Sequence, residues 1–130
     1  MVATSTTRTA QPSAGLVFLF TVLSWLGEYV HNLFELPQLS ALSPENSIPA
    51  IISLSLVVMW LLTPFKRAAV TLLLGWALLH LVGGAIITVI PFGFLPFYPE
   101  QTIDHYAAHA LYGLAQLPLI ALTVKLLRAR

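Results

Sequence analysis

Residues 68–90 read AAVTLLLGWALLHLVGGAIITVI, and this stretch decides the fold class. A helix needs about 20 consecutive, mostly apolar residues to cross the hydrocarbon core of a bilayer. The stretch meets that length with His80 as its one ionisable residue. It stops at Pro91, which lacks the N–H that a longer helix would use. It therefore predicts a transmembrane helix.

Three further segments have the same apolar character. The second span is short and is expected to borrow a flanking turn, whereas Pro118 predicts a kink inside the fourth. Together the segments predict an all-α fold, an integral membrane four-helix bundle. The predicted spans are residues 14–36, 48–64, 68–90 and 102–127, within a transmembrane domain of residues 14–130 that follows a polar tail, residues 1–13.

The composition agrees with this fold class and excludes several functions. Hydrophobic residues make up 58% of the 130 residues and charged residues 8%, which is more apolar surface than a small soluble domain can bury. The net charge is +1, so no basic field predicts a nucleic acid partner. The absence of cysteine excludes disulfides, thiolate metal sites and iron–sulfur clusters.

Every basic residue falls on one side of the predicted bundle. The six are Arg8, Lys66, Arg67, Lys125, Arg128 and Arg130. With four spans, both termini and the turn between the second and third spans share that side. Because Lys and Arg are enriched in cytoplasmic segments, the pattern predicts cytoplasmic N- and C-termini, with the lipid bilayer as the surrounding partner.

The histidines and most acids collect in the opposite, outward half. At about 100° per residue they form two polar faces. The face on the first helix holds Glu28, His31 and Glu35, and the face on the fourth helix holds His105, His109, Tyr112 and Gln116. His80 lies near the middle of the third helix, beside Trp76. Ionisable groups in a bilayer cost roughly 2.5–3.5 kcal/mol each, so the default interpretation of such groups is functional.

Two spacings within these faces suit a metal. His105 and His109 lie one turn apart, as two ligands of one ion would. Glu28 and His31 have the Glu-x-x-His spacing of di-iron bundles, although the chain carries that motif once. We therefore predict a metal or haem site for redox chemistry or metal handling. The candidate metal ligands are Glu28, His31, Glu35, His80, Asp104, His105 and His109, and the candidate cofactor contacts are Tyr112, Gln116 and Trp76.

The ligand chemistry narrows the cofactor. Imidazole and carboxylate ligands favour Fe, Zn, Mn or Cu(II) over Cu(I), which prefers sulfur. Two histidines from facing helices, such as His80 with His109, would instead suit a haem. Asp104 points off the polar face of the fourth helix and is expected either to ligate or to cap the helix start. The aromatic loop of residues 91–101 is expected to cover the site.

Three alternatives remain for the same residues. The first is an acid–base enzyme, isomerase-like, in which Glu28 and His109 exchange protons with a lipid-soluble small molecule. The second is a non-catalytic subunit of a larger membrane complex, or a homo-oligomer, that packs through the small residues 83–85. The third is purely structural, because polar side chains that bond across membrane helices contribute roughly 0.6 kcal/mol each.

Overall fold

The computed structural model describes residues 13–129, and these residues are all-helical. They contain four helices that are long and apolar enough to cross a membrane, which confirms the predicted fold class. The predicted polar tail, apart from Ser13, lies outside the described residues. Ser13 caps the first helix, since its Oγ accepts a hydrogen bond from the backbone N–H of Leu16 at 3.3 Å.

The first two helices, α1 (Ala14–Glu35) and α2 (Pro44–Leu62), differ in how well the sequence placed them. α1 matches its predicted span, but α2 begins at Pro44 rather than at residue 48. Ser43 has an extended backbone at the cap position and Pro44 occupies the first turn, where a missing N–H costs nothing. The loop predicted over residues 37–47 is therefore shorter, and α2 gains the flanking turn that its length required.

The third membrane-spanning segment changes its winding part-way. α3 (Lys66–Leu79) continues as a π-helix (His80–Ile86) and ends in a 3₁₀ turn (Ile87–Val89). π-Helical turns are rare and are often found at functional sites. This one begins at His80 and contains Gly84, where an added Cβ would lie 2.5 Å from the Tyr112 hydroxyl oxygen. The glycine therefore makes room for a side chain of the fourth helix.

The fourth helix, α4 (Ile103–Arg128), packs along α1 and against the third segment. Thr102 caps it, because its Oγ1 accepts from the backbone N–H of His105 at 3.3 Å. Asp104 lies in the first turn, after the cap position that Thr102 holds, so the expectation that it caps the helix was wrong. The close approach of α1 and α4 depends on Gly27, whose missing side chain leaves room for the Ala115 methyl group.

The two ends of the bundle have different characters. We call the end with Lys66, Arg67, Lys125 and Arg128 the basic end. The opposite end, where α1 finishes and α4 begins, is the histidine end. An apolar core made by Val17, Val57, Leu73 and Leu122 fills the half toward the basic end.

Two of the small residues 83–85, which were predicted to pack against a partner, pack against α4 of the same chain. Ala85 is buried, and its Cβ would lie 3.3 Å from a Cβ built on Gly113 of α4. Gly84 is covered by Tyr112. An association through residues 83–85 stays a prediction.

Candidate functional site

Three cross-helix pairs lie along α1 at the histidine end, each about one turn from the next. We call them the histidine ladder. From the end of α1 inward they are Glu35 Oε2 with His105 Nδ1 at 2.8 Å, His31 Nε2 with His109 Nε2 at 3.1 Å, and Glu28 Oε2 with His80 Nδ1 at 3.5 Å. The structure thus brings together six of the seven predicted metal ligands. Asp104 is exposed and does not line the cavity described below.

The hydrogen-bond partner of His109 fixes where its ring carries a proton. Its Nδ1 lies 3.1 Å from the carbonyl oxygen of Ala85. A carbonyl oxygen can only accept a hydrogen bond, so Nδ1 is the protonated nitrogen. In the neutral ring the lone pair is therefore on Nε2, which faces His31.

His31 is fixed in the same way by a chain of amides. Its Nδ1 lies 3.1 Å from Asn32 Oδ1. Asn32 Nδ2 donates to Asn46 Oδ1 at 2.8 Å, and Asn46 Nδ2 donates to the Ser40 carbonyl at 2.8 Å. Since Ser40 O can only accept, the series sets both amide orientations and leaves Asn32 Oδ1 as the acceptor for His31 Nδ1–H. The neutral His31 ring thus also has its lone pair on Nε2.

Two nitrogen lone pairs therefore face each other between α1 and α4. At 3.1 Å the neutral rings of His31 and His109 would repel each other, because neither Nε2 carries a hydrogen to donate. A cation between the two nitrogens, either a proton or a metal ion, removes the repulsion. This pair is the most informative feature of the site.

His105 adds a third imidazole. Its ring centroid lies 4.5 Å from that of His109, and the His31 and His109 rings are 4.4 Å apart. His105 is only 7% exposed, yet neither of its ring nitrogens makes a well-directed hydrogen bond within residues 13–129. Glu35 Oε2 is nevertheless 2.8 Å from Nδ1, so a small ring rotation would direct Nδ1–H at the carboxylate and leave Nε2 free.

The donor atoms are not yet gathered around one point. Within residues 13–129 no three His, Asp or Glu side chains are arranged to hold a metal ion as they stand. Two nitrogen ligands that each lie about 2.0–2.1 Å from a tetrahedral metal ion are about 3.3 Å from each other. His31 Nε2 and His109 Nε2 are 3.1 Å apart, close to that spacing, so a third donor such as His105 would have to move for an ion to be held by three side chains.

The innermost rung of the ladder joins a second cluster. The Tyr112 hydroxyl lies 2.5 Å from His80 Nδ1, and the Trp76 and His80 ring centroids are 4.6 Å apart. The Trp76 indole N–H donates to Ser53 Oγ at 3.1 Å. Glu28 is only 8% exposed, and its Oε2 has no hydrogen-bond partner in the described part of the chain. A buried polar atom without a partner is costly, so Glu28 Oε2 is available to bond to a ligand.

Gln116 lies deeper than the ladder and is fully buried. Its Oε1 accepts from Ser24 Oγ, and its Nε2 donates to the Ser24 carbonyl at 3.0 Å. It makes no hydrogen bond to a histidine in residues 13–129, so its observed contacts join α1 to α4 and do not orient an imidazole. Tyr112, by contrast, contacts both His80 and His31.

A cavity of about 480 Å³ opens beside the ladder. Its floor includes Glu28, His31, His109 and Tyr112, and its outer wall includes Phe97, Tyr98, Pro99 and Glu100. The aromatic loop therefore borders the site, as its sequence suggested. Three acids line this cavity, and no described Lys or Arg does, so its charge favours cations.

A second cavity, of about 490 Å³, lies between the third segment and α4. Leu81, Ile86, Leu114 and other apolar side chains line it, and His109 also borders it. His109 is thus a lining residue of both cavities.

Comparison with protein-family models, with curated proteins and with solved structures found no match to this chain. The site therefore rests on its own geometry. Sequence patterns missed two of its members, Asn46 and Ser53, because each bonds to a residue on another helix. The signal for Asn46 was its place just after Pro44, where a helix can begin.

Proposed function

We propose that this chain is an integral membrane metalloprotein that binds one first-row transition metal ion at the histidine end. Its ligands are Nε2 of His31, His109 and His105. The observation that carries the proposal is the facing pair of Nε2 atoms, 3.1 Å apart, whose Nδ1 partners are both oxygen acceptors. A metal-binding histidine usually donates its other N–H to such an acceptor, which fixes the ring for coordination.

The surroundings favour a metal ion over a single shared proton. His105 supplies a further buried imidazole, with Glu35 in place to orient it. The acidic lining of the cavity offsets the charge of a divalent ion. Fe, Zn, Mn and Cu(II) all suit imidazole and carboxylate ligands, and Cu(II) is expected to bind most tightly of the divalent ions.

A single ion fits the His31–His109 pair better than a haem does. Axial nitrogens on opposite faces of a haem iron are about 4 Å apart, with the macrocycle between them. His31 and His109 are in direct contact, and His80 Nδ1 is taken by the Tyr112 hydroxyl. The haem pair considered from the sequence, His80 with His109, would require Tyr112 to give up that bond.

The proposed orientation places the basic end in the cytoplasm, in accord with the positive-inside rule. Lys66, Arg67, Lys125 and Arg128 support it, since no described residue of the histidine end is Lys or Arg. The cavity then opens toward the outside of the membrane, and the metal would come from that side.

The test is elemental analysis and metal titration of the protein purified in mild detergent. We expect about one Cu(II) or Zn(II) per chain, with binding lost in His31→Ala and kept in the matched control His80→Phe. A helical, monodisperse wild-type protein that binds neither ion would refute the proposal. An equal loss of metal binding in His80→Phe would place the metal at the Glu28–His80 pair instead.

The second cavity favours one further candidate, an acid–base enzyme for a lipid-soluble substrate. A hydrocarbon substrate could reach His109 from the bilayer through the apolar lining, and Glu28 holds a carboxyl oxygen without a partner in residues 13–129. An apolar compound that co-purifies with wild-type protein, but not with Gly113→Leu, would support it. Gly113 lines this cavity, so a leucine there would fill it. Identical lipid extracts from the two proteins would argue against it.

A further inference from the structure

A continuous row of aromatic rings starts at the proposed metal ligands and runs deeper into the bundle. The centroid distances, in order from His109 to His31, Tyr112, His80 and Trp76, are 4.4, 5.2, 5.9 and 4.6 Å. Each ring contacts the next, so the row links the site to Trp76 without a gap. Only Tyr112 and Trp76 in this row are readily oxidised side chains.

The hydrogen bond of Tyr112 has a definite direction. Its hydroxyl lies 2.5 Å from His80 Nδ1 and makes no other hydrogen bond within the described residues. If His80 donated, the phenol proton would be left without an acceptor. The arrangement that satisfies both groups has the Tyr112 O–H donating to the lone pair of His80 Nδ1.

We propose that Tyr112 is a redox-active tyrosine that gives one electron to the metal ion, with His80 as its proton acceptor. This inference rests on the proposed function, because the oxidant is the oxidised state of a redox-active transition metal ion bound by His31 and His109. The phenol O–H bond breaks, its proton moves to His80 Nδ1, and its electron reduces the metal by one unit. The products are a neutral tyrosyl radical, an imidazolium and the reduced ion.

The surroundings of the pair suit this step. Loss of an electron alone would leave a radical cation in a low-dielectric interior, whereas proton transfer across 2.5 Å avoids that charge on the phenol. The imidazolium formed on His80 lies 3.5 Å from Glu28 Oε2, an oxygen without a hydrogen-bond partner in the described residues that can accept the new Nδ1–H. Tyr112 is only 5% exposed, so its radical would be shielded from water.

The other three tyrosines lack this arrangement. Tyr29 stacks on Trp25 with centroids 5.3 Å apart, and Tyr98 is 78% exposed. The Tyr106 hydroxyl donates to Gln101 Oε1 at 2.6 Å, and an amide oxygen is a poor proton acceptor. Among the described tyrosines, Tyr112 alone donates to an imidazole. Tyr106 is therefore hydrogen-bonded but has no base as its partner.

The experiment is electron paramagnetic resonance after oxidation with hexachloroiridate, an outer-sphere one-electron oxidant. The Tyr98→Phe/Tyr106→Phe background removes the two exposed phenols. We expect a tyrosyl signal that Tyr112→Phe abolishes and that His80→Phe lowers at least about tenfold, equivalent to about 59 mV for one electron. In Cu(II)-loaded protein without hexachloroiridate, the tyrosyl signal should appear as the Cu(II) signal is lost, because the electron that leaves Tyr112 reduces the bound ion.

Two failures are distinguishable because metal content is measured on the same samples. Bound Cu(II) together with no Tyr112 signal, or with a signal indifferent to His80→Phe, would overturn the redox-active tyrosine and leave the metal site standing. Protein without bound metal would overturn the proposed function, and with it the metal as electron acceptor. His80→Gln serves as a second variant if His80→Phe fails to fold.

Discussion

The two halves of the bundle satisfy their polar side chains in opposite ways. Toward the basic end, Thr21 and Thr123 are buried, and each hydroxyl donates to a carbonyl of its own helix at 2.8 Å. Packing between helices there is apolar. Toward the histidine end, His31, Asn32 and His109 all bond to another helix or loop.

This contrast shows where chemistry can arise in a membrane bundle. A hydroxyl that donates to a carbonyl of its own helix keeps that hydrogen bond wherever the helix lies. It therefore does not fix the position of the helix relative to its neighbours. A group that bonds across helices holds two backbones in one relative position, as a reactive site requires. Substitutions at the two kinds of polar group should therefore differ in their effects on binding and on stability.

The first prediction compares His109→Ala with Thr123→Val. Removal of His109 takes away one of the two facing lone pairs, so we expect metal affinity to fall by about a hundredfold or more, about 2.7 kcal/mol. Thr123→Val replaces a buried residue with one of similar size and removes a hydroxyl that bonds within its own helix. The metal affinity of this variant should not change. Isothermal titration calorimetry measures both. Equal losses in the two variants would mean that binding depends on general stability.

The second prediction compares two glycines of the third segment. A Cβ on Gly84 would lie 2.5 Å from the Tyr112 hydroxyl, whereas a Cβ on Gly75 meets nothing within 4 Å. Gly84→Ala should destabilise the fold by about 2 kcal/mol through overpacking. Gly75→Ala should be neutral or stabilising by up to about 1 kcal/mol. Unfolding in mixed detergent, followed by circular dichroism, measures both, and a neutral Gly84→Ala would contradict the observed packing of Tyr112.

The fold could be predicted from the sequence because lipid imposes few solutions. Apolar stretches of the required length, ended by Pro37, Pro64 and Pro91, are enough to count and place the spans. The error came at α2, where apolarity was used to set the start and the helix signal of Ser43 and Pro44 was polar. Hydropathy marks the part of a helix that lipid covers, and a helix can extend beyond it.

The site was predictable only in part. Helical phase put Glu28, His31 and Glu35 on one face, and the structure gives each a histidine partner. Phase could not show which partner each would meet, since helix rotation is set by packing. It also predicted Gln116 and Tyr112 alike as cofactor contacts. Gln116 lies one helical turn deeper, however, where it accepts a hydrogen bond from Ser24.

The third prediction concerns the amide that fixes the tautomer of His31. Asn32→Leu removes the acceptor of His31 Nδ1–H, so the ring can place its proton on Nε2 and lose the lone pair that binds metal. Affinity should fall at least about tenfold, the usual size for loss of a partner that orients a ligand. Gln38→Leu, an exposed polar residue of the same end, is the control. Unchanged affinity in Asn32→Leu would remove the tautomer argument while leaving His31 as a ligand.

The last prediction applies the comparison to stability alone. Ser24 Oγ donates across helices to Gln116 Oε1, so Ser24→Ala breaks a bond between α1 and α4 and leaves a buried amide oxygen without that donor. The expected loss is about 0.6 kcal/mol, the average for such bonds in membrane proteins. Thr21→Val, whose hydroxyl bonds to the Val17 carbonyl of its own helix, should change the free energy of unfolding by less. If the two variants lose the same stability, the cross-helix bond contributes no more than the local one, and the rigidity of the histidine end must come from the ladder itself.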